Sequence, residues 1–158
     1  MATEGGGGAC LARRLEAGAL EVTFAAGKGR HRVWGAALLT RRSVCVNLHG
    51  GESPHIGAVG IGLPRPSLRR QDMRSATTSV VTVPGHKEDE LVQPLASELA
   101  RRLRRTSVVV AGMHLRNARA RDIAALSRNT ARAVELFLKA LPAAFHEHGG
   151  SQAKRRGR

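Results

Sequence analysis

The sequence predicts an α+β protein: a mainly antiparallel or mixed sheet of about five to six strands with two long helices packed on it. Three observations carry this. Apolar residues alternate with polar ones in short runs from Leu20 onward, the signature of half-buried strands. From residue 88 the period lengthens, with Leu91, Leu95, Leu99 and Leu103 recurring every four residues as on an amphipathic helix. A continuous apolar run, Thr106 to Met113, then separates that helix from a second one, as a strand buried on both faces would.

The elements follow in order. Residues 1–15 are glycine-rich and expected to be mobile. Leu20, Val22 and Phe24 form a strand that Gly27-Lys28-Gly29 ends in a turn. Strands over Val33–Leu39 and Ser43–Leu48 meet at the basic turn Thr40-Arg41-Arg42, with Cys45 expected in the core. Ile56 to Leu63 is a small-residue strand whose Gly57, Gly60 and Gly62 mark the close approach of a backbone or a flat ligand. Pro64-Arg65-Pro66 ends it, residues 67–77 form an Arg-rich loop able to fold over an anion, and Ser79–Val83 is a further strand. The first helix covers 88–105. Glu88, Asp89 and Glu90 in its first turn and the solvated bases Arg101–Arg105 in its last complement the helix dipole. Pro94 either kinks it or moves its regular part to begin near Gln93. The second helix runs 120–140, with Ile123, Leu126, Thr130, Ala133, Val134, Phe137 and Leu141 on one stripe and Pro142 closing it. Residues 16–145 thus make one domain, and 146–158 read as a disordered basic tail.

Composition bounds the function. The chain has 158 residues, 26 Lys+Arg against 12 Asp+Glu, and a net charge of +14. A 42% hydrophobic content is too high for a disordered basic protein. No run approaches the ~18 apolar residues of a membrane span, no secretory signal is visible, and two cysteines make no disulfide framework. A cytoplasmic, membrane-free protein is the expectation. Arginine supplies most of the charge, and with abundant Ala and Gly this is what a GC-rich coding sequence produces whatever the function. Single-strand binders stack bases on aromatic residues, and here these are only Phe24, Trp34, Phe137 and Phe145. Nucleic acid is accordingly a weak candidate partner.

Three histidines, each beside glycine-rich backbone, stand where a strand meets a loop: His55, His86 and His114. Strand ends are where sheet proteins build ligand sites. Three imidazoles could hold a divalent metal of the kind zinc and iron sites use, or supply protons and hydrogen bonds near neutral pH. A solvated or capping role is the plain alternative for each. Their spacing of about 30 residues is no metal motif, so only the fold could unite them. Pro84-Gly85-His86-Lys87-Glu88 also sets a lysine at a helix amino terminus, where backbone N–H groups and the dipole favour phosphate. A second such terminus follows Asn117, which is a candidate N-cap or ligand contact. There is no Gly-x-Ser-x-Gly elbow, Cys-x-x-Cys pair or His-Glu-x-x-His motif.

The segments Pro54-His55-Ile56-Gly57-Ala58-Val59, Pro64-Arg65-Pro66, Thr78-Ser79-Val80-Val81, Pro84-Gly85-His86-Lys87-Glu88-Asp89-Glu90 and Ala111-Gly112-Met113-His114 resemble the LpdD-like family. That family is named for the small subunit that accompanies gallate decarboxylase. The resemblance spans about residues 20–140. It implies a fold similar to proteasome assembly chaperones and a protein that binds prenylated FMN and delivers it to, or matures it for, a UbiD-type decarboxylase. The flavin prenyltransferase is a further partner it suggests. The positions matching the family's motifs are His55 with Ile56 and Gly57, Arg65, His86 with Lys87 and Glu88, and His114 with Asn117. Pro94 and the Arg-rich tail depart from the family pattern.

A carrier rather than an enzyme is implied, cofactor oxidation being the one chemical step open to it. On the residues themselves, Lys87 would neutralise the phosphate, the glycines would leave room for the ring, and His55, His86 and His114 would line its edge or hold a metal. A metal-dependent enzyme with a three-histidine site is the alternative, and a nucleic-acid-binding module the third. Pairing of exposed sheet edges makes a homo-oligomer the expected assembly.

Overall fold

A computed structural model describes residues 2–5, 8–70 and 73–146. It contains one mixed sheet of strands β1 (Ala2–Gly5), β2 (Gly8–Arg14), β3 (Leu20–Ala26), β4 (Val33–Leu39), β5 (Ser43–Gly51), β6 (Ala58–Pro66), β7 (Arg74–Thr82) and β8 (Thr106–His114). Helix α1 (Asp89–Leu103) precedes β8, and α2 (Ala120–Ala140) and the short α3 (Ala143–His146) follow it. The spatial order is β1-β2-β3-β4-β5-β8-β6-β7. Every neighbouring pair is antiparallel except β5 and β8, which run parallel from Ser43↔Thr106 to Gly51↔His114.

The α+β class and the two long helices stand as expected. The sheet has eight strands rather than five or six. Two of the additions lie in the segment expected to be mobile. Residues 8–14 pair along their whole length with β3, from Gly8↔Ala26 to Arg14↔Leu20, and Cys10 is buried. Composition misleads there because backbone pairing, not side-chain content, holds the strands at this end of the sheet order. β7 also begins earlier than expected, at Arg74, so the Arg-rich loop is shorter. β6 runs through Pro66 for a related reason. Beyond Gly62 it pairs only with β7, so Pro64 and Pro66 interrupt no central ladder. The expected basic tail lies, from residue 147, outside the described residues.

Alternation along the strands sends one set of side chains inward: Val22, Ala37, Val46 and Val109 lie side by side across β3, β4, β5 and β8, all buried. Both helices cover this face, α1 on β6, β7 and β8 and α2 on β2, β3 and β4. Phe137 of α2 stacks on Phe24 with ring centroids 5.2 Å apart. On the other half, α1 comes so near the sheet that a Cβ on Gly60 would lie 2.9 Å from the Val92 carbonyl oxygen, and one on Gly62 would collide with that of Ala96. Ser107 Oγ, fully buried, donates to the Ala96 oxygen at 2.6 Å. These glycines therefore admit a helix backbone, not a flat ligand.

Among the described residues, no helix covers the opposite face. Leu11, Trp34, Leu38, Ile61, Leu63 and Val81 are exposed there, and Cys45, expected in the core, lies on it as well. The register explains the cysteine: it pairs with the outward Leu38, one residue from the inward Val44 and Val46. Arg105 departs from the solvated helix end in the other direction. It is 3% exposed, and its guanidinium donates to the carbonyls of Arg41, Leu103 and Phe145, tying the β4–β5 turn and the C-terminal helix to the end of α1.

Candidate functional site

The parallel pairing of β5 and β8 brings their carboxyl ends to one edge of the sheet, and β6 begins there because it runs antiparallel to β8. The 52–57 loop crosses this edge. Its Gly57 N–H donates to the Ala111 oxygen at 2.9 Å, and the Gly57 oxygen accepts the Val83 N–H at 2.8 Å. Gly112 must be glycine here, since a Cβ would collide with the His55 carbonyl lying across it. The loop after β7 and the start of α1 are thereby held against the end of β8.

Three side chains meet at this crossing. His55 Nε2 is 2.9 Å from His86 Nδ1 and 3.3 Å from Glu88 Oε1, and His86 Nδ1 is 3.6 Å from Glu88 Oε2. The other ring nitrogen of His55 lies 3.0 Å from the Ser53 carbonyl oxygen, which can only accept. His55 Nδ1 is therefore the protonated nitrogen, and a neutral ring turns the Nε2 lone pair toward His86 and Glu88. The Glu88 carboxylate folds back to accept the N–H groups of Lys87 at 3.1 Å and Met113 at 3.2 Å. Gly57 leaves it the space, because a Cβ there would collide with it. The amino end of α1 thus attracts the chain's own carboxylate, where an external phosphate was the expectation. All three side chains are partly buried, Glu88 most at 13% exposure.

A groove opens beside this cluster, between α1 and α2, with a volume of about 1340 Å³. Leu91 and Leu95 wall it on the α1 side, Leu126 and Val134 on the α2 side, and Met113 and Leu115 at the end of β8. His86, Lys87, Glu88 and His114 also line it. At the far end its charges are self-paired, Arg102 with Glu98 at 3.0 Å and Lys139 with Glu135 at 2.6 Å. Lys87 is thus the one groove-lining base without an ion pair among the described residues. Pro94, also on the wall, offers no N–H to the Glu90 carbonyl, which stays open within an otherwise continuous α1.

The predicted residues thus divide. His55, His86 and Glu88 converge. His114 is a neighbour, its ring centroid 6.4 Å from that of His55, and it faces the groove outside the tight cluster. Lys87 reaches the groove. Ile56 is exposed on the crossing loop and does not line it. Arg65 stands seven residues along β6 from Ala58, about 23 Å at strand rise, and donates to Thr77 Oγ1 and the Pro66 carbonyl. The strand carries it out of the site. Asn117 neither lines the groove nor caps α2. It takes a left-handed turn conformation (φ 52°), and Asp122 completes the helix start by accepting the Arg119 N–H at 2.8 Å. The sequence did not single out the groove walls, because Leu91, Leu95, Leu126 and Val134 belong to the same apolar stripes that bury the helices, and only the separation of α1 from α2 leaves them lining a groove.

An apolar groove edged by a few convergent polar groups is the form that small-molecule sites usually take. Residues 27–142 match the prenylated flavin chaperone LpdD-like domain, and the chain belongs to that family. Among curated proteins, no relative matches it.

Proposed function

We propose that this chain binds prenylated FMN in the groove between α1 and α2 and hands it to a UbiD-type decarboxylase. The observation that carries the proposal is the groove itself. Its volume is above the roughly 300–1,000 Å³ typical of small-ligand clefts, and it is apolar along both helices and polar at the His86–Glu88 end. The donor set suits a flavin mononucleotide. Leu91, Leu95, Leu126 and Val134 would take the apolar ring and prenyl carbons, Lys87 would offset the phosphate charge, and His86 and His114 would bond the polar edge. The bound group would bring its decarboxylation chemistry to the client; this chain's residues bind, orient and shield it. The setting proposed is cytoplasmic, with the protein as a homo-oligomer whose stoichiometry light scattering reads. No helix among the described residues is long and apolar enough to cross a membrane.

The chain produced together with a flavin prenyltransferase should purify with flavin absorbance and, once stripped, bind one prenylated FMN per chain in anaerobic titration. Val134→Trp, filling the groove, should abolish both. A colourless protein that fails to bind in titration overturns the proposal. A metal-dependent enzyme is the second reading, favoured by the His55–His86–Glu88 cluster, and stoichiometric metal without flavin affinity would select it.

A further inference from the structure

We infer that His55, His86 and Glu88 form a binding site for one divalent first-row transition cation of the zinc class, at the strand-end mouth of the groove. The site uses two imidazole nitrogens and one carboxylate, and His114, included in the sequence expectation, is not a ligand.

Four observations support this donor set. The three ligand atoms lie within 4.8 Å of one another. His55 Nε2 lies 2.9 Å from His86 Nδ1 and 3.3 Å from Glu88 Oε1, close to the ~3.3 Å expected between ligands about 2.0–2.1 Å from a tetrahedral zinc ion, and the second carboxylate oxygen, Oε2, lies 3.6 Å from His86 Nδ1. The outer contacts match those that orient metal ligands: the Ser53 carbonyl takes the His55 Nδ1 proton and leaves Nε2 to coordinate, while two backbone N–H groups fix the Glu88 carboxylate. The space is also kept open for these groups, since the backbone under His55 requires Gly112 and the carboxylate requires Gly57. Two imidazoles and a carboxylate with further positions free is a ligand set of catalytic zinc and non-haem iron sites, distinct from closed structural ones.

The free positions fall on the groove side. His86 and Glu88 line the groove, whereas the 52–57 loop that holds His55 closes the other side. A cation there would meet an oxygen- or phosphate-bearing ligand entering between the helices. The site stands without the flavin proposal, because its ligands all come from the chain.

The test uses the metal alone. The chain is stripped with a chelator, dialysed, and titrated with Zn²⁺ by calorimetry and with Co²⁺ by visible absorption, with no flavin present. One cation per chain and cobalt d–d bands of low coordination number are expected. Glu88→Gln preserves shape and should weaken binding by more than the roughly 10–100-fold that loss of an outer contact costs, and His86→Ala should do at least the same. His114→Ala should leave affinity within a few fold. Circular dichroism of Glu88→Gln separates loss of a ligand from loss of fold. No saturable binding to the wild-type chain overturns the inference. So does unchanged affinity in Glu88→Gln, or loss on His114→Ala with retention in Glu88→Gln, which would restore the three-histidine set.

Discussion

Asp122 shows how one side chain settles a boundary that the sequence left open. It is buried at the start of α2, accepting the Arg119 N–H and lying 2.8 Å from His31 Nε2. The Arg119 N–H is the main influence holding its carboxyl below the usual carboxylate range; the His31 bond and the nearby Arg30 charge add to it, against an opposing push from burial. A depressed folded-state pKa means stability that is fully present above the unfolded value of about 4 and is lost as pH falls through the folded value. Asp122→Asn should therefore be less stable than the wild type at pH 7 in urea unfolding, and the gap should begin to shrink below about pH 4 and vanish only once pH falls through the lowered folded-state value, where the wild-type group is itself protonated. A gap independent of pH would contradict this. Of the histidines beside glycine at strand ends that the sequence singled out, the structure brings His55 and His86 together and leaves His114 beside them. Glu88 looked like a first-turn acid, because nothing local in the sequence tells a capping carboxylate from one that turns back toward two histidines.

At the scale of the element, legibility followed periodicity. The limits of β4 and α2 agree with the sequence reading because each carries an uninterrupted pattern, a continuous apolar run over Val33–Leu39 and helical spacing over 120–140. β2 and the start of β7 carry none, as their runs are rich in Gly, Ala, Arg, Ser and Thr. The sequence puts Leu126, Thr130, Ala133, Val134 and Phe137 of α2 on one stripe, and the structure divides that stripe. Thr130, Ala133 and Phe137 are buried, while Leu126 and Val134 are only partly covered and face the groove. Packing of α1 on β6 depends on missing side chains. Gly62→Ala would press a methyl group into the Ala96 carbonyl and 2.7 Å from Ser107 Oγ, and overpacking of this kind costs about 1–3 kcal/mol. Urea unfolding should show that loss, whereas Ile61→Ala, on the helix-free face, should cost clearly less. Equal stability of Gly62→Ala and wild type would mean that α1 can move off the sheet freely.

At the scale of the whole molecule, strand order does what composition could not. β8 enters between β5 and β6, and this order brings His55, from the β5–β6 connection, and His86 and Glu88, from the β7–α1 connection, to one end of the sheet. No periodicity encodes such an insertion, so the convergence was open until the fold was in hand. The net charge of +14 proved a poor guide: the groove carries Lys87 as its one base without an ion pair among the described residues, and its other bases are neutralised by their own helices. Two helices set apart on one face of the sheet leave between them the apolar cleft on which the account rests. The most direct test is a crystal structure of the chain purified from cells that also make prenylated FMN. The account predicts flavin density between α1 and α2, with the phosphate near Lys87 and the polar edge of the ring toward His86 and His114. Flavin density on the helix-free face, or an empty groove in protein that carries stoichiometric flavin, would contradict it.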